Sequence, residues 1–460
     1  MANKSIPTKH LLYMTLILIL HISIAFILDF PIYIGIVASI FYIFYIAKLY
    51  GHQTKTLFYL INTSFRTVKI VLFMLLLIAA ILPLWMASGT LPTLIHYSFI
   101  YLSSLNVPLS AFLISTILSL MLGTYIGTLS ILGPLFISLA VGLNIPLPLI
   151  AGALISGAVI GDRLSPISSN FHLICASCAS DISTTFITML RTNAPAFVTA
   201  CAAYYFVGSR YQLNDIGRQN IDRVLQLLDT QFLIHIVMVL PIGLLLLLIM
   251  TKKVPIVLSF LMTFICSLSL YLSVGLPTQS LPNLILFGYH PSNAALHSII
   301  SGSGIQSMIA VPIIILCSAY LNDLLRHIGL IDHGLSSFTR NIQSPTTLYH
   351  RTAILSILVT TISCNQSLTA IITGQHFKNY FDALDIDRSY LARTIADTGS
   401  IVITIIPWNL NALVAASITG VATIHYTPYV FYIFIPIMMT FIGPYFSKGE
   451  TTILKESIDD

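Results

Sequence analysis

The sequence predicts an all-α, polytopic membrane protein whose two halves repeat a pattern of interrupted helices and re-entrant pieces. Composition is the first reason. Of 460 residues, 56% are hydrophobic and only 8% charged, whereas a soluble domain carries about 25% charged residues. Run length is the second, because the apolar stretches suit helices and exceed what a barrel strand needs. The third is that polar interruptions recur at corresponding places in two parts of the chain. The net charge of +5 is modest and reads as topology information. The expected surroundings are therefore a lipid bilayer, with no nucleic-acid partner.

In chain order, Lys4 and Lys9 precede an apolar run from Leu11 to Leu28. It is longer than a signal-peptide core and no small-residue cleavage pattern follows, so a retained first helix over 11–29 is expected. Further spans are predicted near 31–48, 68–88, 107–122, 128–143, 147–160, 196–207, 231–250, 254–274, 305–325, 352–373, 398–419 and 426–446. Crossing takes about 20 apolar residues, so the shorter runs read as half-helices or re-entrant pieces and about 11–13 crossings are expected. Lys48, Lys55, Arg66 and Lys69 crowd one connection without an acid. Lys252 and Lys253 mark another, and Arg326, Arg340 and Arg351 a third. These loops and the N-terminus are expected in the cytoplasm. Residues 208–230 carry Arg210, Asp215, Arg218, Asp222, Arg223 and Asp229 beside Ile221, Val224, Leu225 and Leu228 at helical spacing. That pattern predicts an amphipathic connector between membrane halves 1–207 and 231–460.

Each half carries paired interruptions. In the first, Gly123-Thr124-Tyr125-Ile126-Gly127-Thr128 precedes the polar break Asp162 to Asn170, where Pro166 ends a helix. In the second, Ser363-Cys364-Asn365-Gln366-Ser367 precedes Asp397-Thr398-Gly399-Ser400 and then Pro407-Trp408-Asn409-Leu410-Asn411. Paired interruptions of this kind point to a binding site at a repeat interface. Cys175 and Cys178 form a CxxC. With no second pair or ligand cluster, it reads as two small residues one turn apart. No cofactor and no resident metal is expected.

Among only 16 acidic residues, four stand in or beside apolar sequence: Asp162, Asp181, Asp323 and Asp397. Carboxylates at membrane depth are costly and are kept mainly for transport or proton handling. Such a group holds a proton or a small cation, but not both cheaply, which is the physical core of cation/proton exchange. Asp162 is the first candidate and Asp397 the second. The competing role for Asp162 is a charge pair or a helix cap. Arg163 does not face its neighbour on a helix, so it is free to serve a different acid. Arg393 stands four residues before Asp397, at the spacing of a helical ion pair. Asp323 reads as a membrane-boundary acid and Asp181 as a helix cap. Ser165, Ser168, Ser169 and Asn170 offer the oxygens that hard cations prefer, and Asn409 beside Trp408 offers the same from the second half. His172, just past the break, is a candidate proton carrier.

At these residues the chain resembles the NhaC-type sodium/proton antiporter family, which also contains malate/lactate antiporters. The signature-like stretch AGALISGAVIGDRLSPISSN (151–170) carries the resemblance with five blocks in the same order: WMASGTLPTLIHY (85–97), SGIQSMIA (303–310), ITGQHF (372–377), SYLARTIADTGS (389–400) and IPWNLNALVAASITGVATIHYTPY (406–429). The resemblance implies inverted repeats with re-entrant hairpins and discontinuous helices around a mid-membrane site, commonly in a homodimer. It also implies sodium and a proton as the transported species. Retained are Gly161, Asp162, a base at Arg163, Ser165, Pro166, Gln366, Arg393, Asp397, Pro407, Trp408 and Asn409. Departures are equally informative. Where the family has Asp-Thr-Thr-Asn this chain has Ser169, Asn170, Phe171 and His172, Asn365 stands where an acid is common, and Ala396 where Glu often precedes the Asp.

The expectation is a secondary transporter of the plasma membrane, exchanging sodium for protons by alternating access. Asp162 would be the exchanging carboxylate. Ser165, Ser168, Ser169, Asn170, Asn365, Gln366, Trp408 and Asn409 would line the site. Asp397 and His172 would share the proton coupling, with Arg163 and Arg393 as charge partners. The alternative is exchange of a small organic solute whose carboxylate Arg163 or Arg393 receives. A channel or a sensor on the same scaffold is a reading from another class, marked by uncoupled flux or none. An enzyme is not expected, since no GxxxxGK[ST], GxSxG or HExxH pattern occurs.

Overall fold

The computed structural model describes residues 32–102, 105–165, 168–211, 215–251, 253–291, 302–329, 344–363 and 365–446, with isolated positions at 13, 17, 20, 21, 24, 30 and 342. The expected first helix over 11–29 lies almost wholly outside this set, as do the N-terminal lysines, Pro166, Lys252, Arg340 and Cys364. The N-terminal orientation is untouched by it.

Eighteen helices carry the described fold. They are α1 (Ile32–Leu49), α2 (Thr54–Ala87), α3 (Thr90–Leu102), α4 (Val107–Leu122), α5 (Tyr125–Gly142), α6 (Leu147–Leu164), α7 (Ser169–Cys178), α8 (Ile182–Gly208) and α9 (Asp215–Gln231), followed by α10 (Leu240–Thr251), α11 (Ile256–Ser273), α12 (Leu281–Phe287), α13 (Ala310–His327), α14 (Pro345–Ser363), α15 (Gln366–Ala383), α16 (Arg388–Asp397), α17 (Leu410–Thr419) and α18 (Phe431–Phe446). Single helical turns supplement them. The described strand structure is one antiparallel pairing of Gly288–Tyr289 with Gly302–Ser303. The all-α expectation therefore stands.

Four helices are long and apolar enough to cross a bilayer: Val68–Ala87 within α2, then α5, α6 and α11. Up to 8 crossings exist among the described residues if each sharply bent helix pair counts as one span. The expected 11–13 is a figure for the whole chain, including the run at 11–29, and the described helices also divide it differently. The run predicted at 352–373 is two helices, α14 and α15, parted at 364–365. The run at 231–250 follows an 88° bend between Asp222–Gln231 and Ile236–Ile249. Helices α13, α14 and α15 are long enough, but Asp323, Arg326, Arg351, Lys378 and Asp382 lower their apolar character. Large exposed apolar side chains such as Phe41, Tyr45, Val198 and Ile265 suit a lipid-facing surface. Helix α9 falls in the segment read as a connector, and its Asp229 meets His96 of α3 at 3.1 Å.

The repeat is written in the chain with a constant separation of 241 residues. Thus α4 ends at Leu122 and α14 at Ser363, α5 starts at 125 and α15 at 366, and α7 spans 169–178 while α17 spans 410–419. Caps follow the same register. The Thr124 side chain caps α5 and that of Asn365 caps α15. Asn144 and Asp385, both at φ 55°, turn the chain after them. Ala179 at φ 52° and Gly420 at φ 68° end α7 and α17. Left-handed backbone at a helix end satisfies carbonyls left over by the last turn.

Tertiary contacts repeat as well. Ser119 Oγ donates to the Ala158 carbonyl at 2.6 Å, and its counterpart Thr360 Oγ1 donates to the Gly399 carbonyl at 2.9 Å. Gly133 of α5 backs onto Ile418 of α17, where an added Cβ would come within 2.6 Å, and its counterpart Gly374 of α15 backs onto Ser177 of α7 at 3.0 Å. Each half thus lends its short helix to the other half's hairpin. Reciprocal contacts of this kind are the mark of a two-fold relation. The two repeats are therefore interlocked among the described residues, and α1 and α2 add contacts to α13.

Candidate functional site

The site forms where α6 stops. Ser115 and Ser119 of α4 donate to the Leu154 and Ala158 carbonyls of α6, so the two helices run side by side in the same direction. Gly161 permits this approach, since a Cβ there would fall on the Ser119 backbone. After Leu164 the chain leaves the helix. Ser165 Oγ donates to the Leu120 carbonyl at 2.7 Å, and Ser168 opens α7 by accepting from the Asn170 and Phe171 amides. Ser168 Oγ also donates back to the Asp162 carbonyl at 2.5 Å.

Two polar nodes result, because neighbouring side chains on a helix diverge by about 100°. The first surrounds the partly exposed Asp162. Its Oδ2 accepts from Gln366 Nε2 at 3.0 Å and from Asn170 Nδ2 at 3.3 Å. The Tyr125 backbone amide also donates to this carboxylate. The same two side-chain amides converge on Ser400 Oγ, at 2.9 Å from Gln366 and 3.0 Å from Asn170. Asn411 Nδ2 reaches Gln366 Oε1 at 3.4 Å. This node joins both halves, since the start of α5, the end of α6, the start of α7, the start of α15, the turn after Asp397 and the start of α17 all contribute to it.

The second node is buried. Arg163 is 1% exposed and Asp397 0%, and Arg163 Nη2 pairs with Asp397 Oδ1. Arg163 Nη1 donates to the Tyr432 hydroxyl at 2.7 Å and Nη2 to Thr192 Oγ1 at 2.9 Å. Asp397 also accepts from Thr192 at 3.1 Å and Thr440 at 3.3 Å. Arg393 Nε lies 3.9 Å from Asp397 Oδ2, with its guanidinium 4.9 Å from the centre of the Tyr390 ring. Arg163 therefore serves an acid other than its neighbour, and Asp397 carries both the i,i+4 arginine and a distant one.

The remaining predicted residues fall around these nodes. Asn365 caps α15 by accepting from the Ser367 amide at 2.9 Å. Trp408 Nε1 donates to the Thr361 carbonyl at 2.9 Å and Asn409 Nδ2 to the Thr360 carbonyl at 3.3 Å. Asn409 Oδ1 is buried and meets no hydrogen-bond donor among the described residues. Ser169 and His172 are exposed on the first turn of α7, and the rings of Phe171 and His172 touch edge to face. Of the two outlying acids, Asp181 caps α8 through the Thr184 amide, and Asp323 accepts from Ser64 Oγ at 2.6 Å. The CxxC cysteines are buried and not disulfide-bonded.

Sequence reasoning missed the place of Ser400 at the Asp162 node and the partners of the ion pair, Thr192, Tyr432 and Thr440. A hydroxyl in a transmembrane helix usually bonds its own backbone, so a lone Ser or Thr gives no signal. The positional match of Asp162 with Asp397 also changes. In the structural register Asn170 pairs with Asn411 and Ser168 with Asn409, but Asp162 falls opposite Ile403 and Asp397 opposite Ser156. Each acid is peculiar to its half.

Comparison with known proteins agrees with this architecture. A family model described as the Na+/H+ antiporter family matches residues 4–188 and 172–447. The chain is 26% identical over 457 residues to a malate-2H(+)/Na(+)-lactate antiporter of Bacillus subtilis, covering 97% of each protein. It is 28% identical to the Na(+)/H(+) antiporter NhaC of Alkalihalophilus pseudofirmus, over 82% of each. It is 29% identical to NhaC of Bacillus subtilis, over 80% of this chain and 82% of that one. An all-α multi-pass membrane protein with a two-fold repeat, matched over nearly its whole length, this chain belongs to the Na+/H+ antiporter family.

Proposed function

We propose that this chain exchanges sodium for protons across the plasma membrane, with Asp162 holding either ion in turn. The observation that carries the proposal is the Asp162 node. It is a partly exposed carboxylate at a helix break, ringed by Asn170, Gln366 and Ser400 from both halves. Side-chain amides suit this exchange because they work in both directions. An N–H stabilises the bare carboxylate, and the carbonyl end of the same amide, turned inward, ligates a hard cation. Broken helices at a repeat interface leave such a site reachable from one side at a time when the halves rock. Taken with an inverted sense of the repeat, this supports alternating access. The basic loops support a cytoplasmic N-terminus, and the family resemblance supports a homodimer.

Exchange of an organic solute is the second reading. It draws on the relative named as a malate/lactate exchanger. The arginines that would receive a solute carboxylate are already committed to Asp397, which favours the cation.

The test uses proteoliposomes holding a pH-sensitive dye, challenged separately with sodium, potassium, lithium, malate and lactate. Sodium-evoked proton movement that vanishes in Asp162→Asn is the expected result. Proton movement evoked by malate or lactate but not by sodium would establish the second reading. Full coupled flux in Asp162→Asn would remove Asp162 from its role.

A further inference from the structure

We infer that the Arg163–Asp397 pair is a fixed clamp that takes no part in ion exchange, leaving Asp162 as the single exchanging carboxylate and making the transport cycle one sodium for one proton, without net charge movement. The inference rests on the proposed sodium/proton exchange and adds its stoichiometry.

Geometry separates the two acids. Asp397 is 0% exposed, and its oxygens are met by Arg163, Thr192, Thr440 and, at 3.9 Å, Arg393. A sodium ion brought to it would face two guanidinium groups and would have to displace a fully desolvated ion pair. Breaking a buried pair by withdrawing one partner is strongly unfavourable. Asp162 differs on every count. It is partly exposed, it is bonded by neutral amides, and among the described residues no cation is within ion-pair distance of it. Neutral donors do not compete electrostatically with an arriving cation.

The clamp has a second consequence. Arg163 is covalently next to Asp162, yet it is turned away and held by Asp397, Thr192 and Tyr432. While so held, its charge is neutralised. Released, it is the nearest cation available to Asp162 and would compete with sodium there. Asp397 is thus a positioning residue, acting through Arg163.

A potential-dependence measurement on the intact protein tests the stoichiometry. In proteoliposomes with opposing sodium and proton gradients, the sodium ratio that balances a given pH difference is found with and without an imposed membrane potential. One-for-one exchange predicts the same balance at every potential. Were one net charge moved per cycle, a potential of about 100 mV would displace the balancing ratio by about fifty-fold. A displacement of that size, with sodium–proton coupling intact, overturns the single-carboxylate inference alone. Absence of any sodium-evoked proton movement overturns the underlying reading and this inference with it.

Variants test the clamp. Asp397→Asn is expected to raise the sodium KM by about tenfold, with a smaller change in maximal rate, because a freed arginine competes for Asp162. Adding Arg163→Gln to it is expected to bring the KM most of the way back. A sodium KM that stays as high in the folded double variant as in Asp397→Asn would show that Asp397 itself binds the ion.

Discussion

At the scale of single residues, Gln366 ties the Asp162 node together. Its amide donates at once to Asp162 and Ser400, and its carbonyl end faces Asn411. A hydrogen bond to a charged group contributes about 1.5–3 kcal/mol. Gln366→Ala is therefore expected to lower the sodium kcat/KM by about tenfold or more, measured by dye-reported exchange. An unimpaired Gln366→Ala would mean that the observed amide contact plays no part in transport. Much of this node was legible in the sequence. Asp162, Asn170 and Gln366 all stood out as polar groups where apolar sequence was expected. Ser400 did not, because a serine in a helical run has a ready acceptor in its own backbone. The partner of Arg163 was equally hidden, since the two residues are 234 positions apart in the chain.

At the scale of elements, the helix breaks decide where polar groups collect. Their signals are local: Gly123 at φ 64°, the Thr124 and Asn365 caps, and the Ser168 cap. Local signals are what a sequence displays, so the interruptions at 123–128, 161–170 and 363–367 were visible without coordinates. Span lengths were less visible, because hydropathy does not distinguish one long helix from two joined at a bend. The interface of α4 with α6 supplies a sharp test. Gly161→Ala places a methyl group on the Ser119 backbone, whereas Gly243 of α10 has nothing within 4 Å of an added Cβ. Overpacking costs about 1–3 kcal/mol, so Gly161→Ala is expected to lower the unfolding temperature in detergent. Gly243→Ala, mid-helix with open space, is expected to leave it unchanged or raised. Equal behaviour of the two variants would contradict the close packing of these helices.

At the scale of the whole molecule, the 241-residue register joins two interlocked halves. It makes a prediction that neither half makes alone. Cysteines at positions 177 and 374 are expected to cross-link on oxidation, in a background lacking the native cysteines, because their backbones meet across α7 and α15. Cysteines at 133 and 374, register counterparts that back onto Ile418 and Ser177 respectively, are expected to stay reduced. Mass spectrometry of the intact chain reads both outcomes. A bond between 133 and 374, or none between 177 and 374, would contradict the exchange of short helices between halves.

The sequence by itself determined the membrane class, the helix breaks and the few carboxylates that stand in apolar sequence. Each of these depends on local composition, on local backbone chemistry, or on the rarity of charge in apolar sequence. Tertiary structure decided which charges meet. Asp162 and Asp397 look alike in sequence, as acids near helix ends in an apolar chain. Packing of α6 against α16, α8 and α18 gives Asp397 a buried arginine, while divergence of adjacent side chains on α6 leaves Asp162 to neutral amides. Electrostatic environment is set by distance in space, so only the fold distinguishes the acid paired with arginine from the one met by neutral amides.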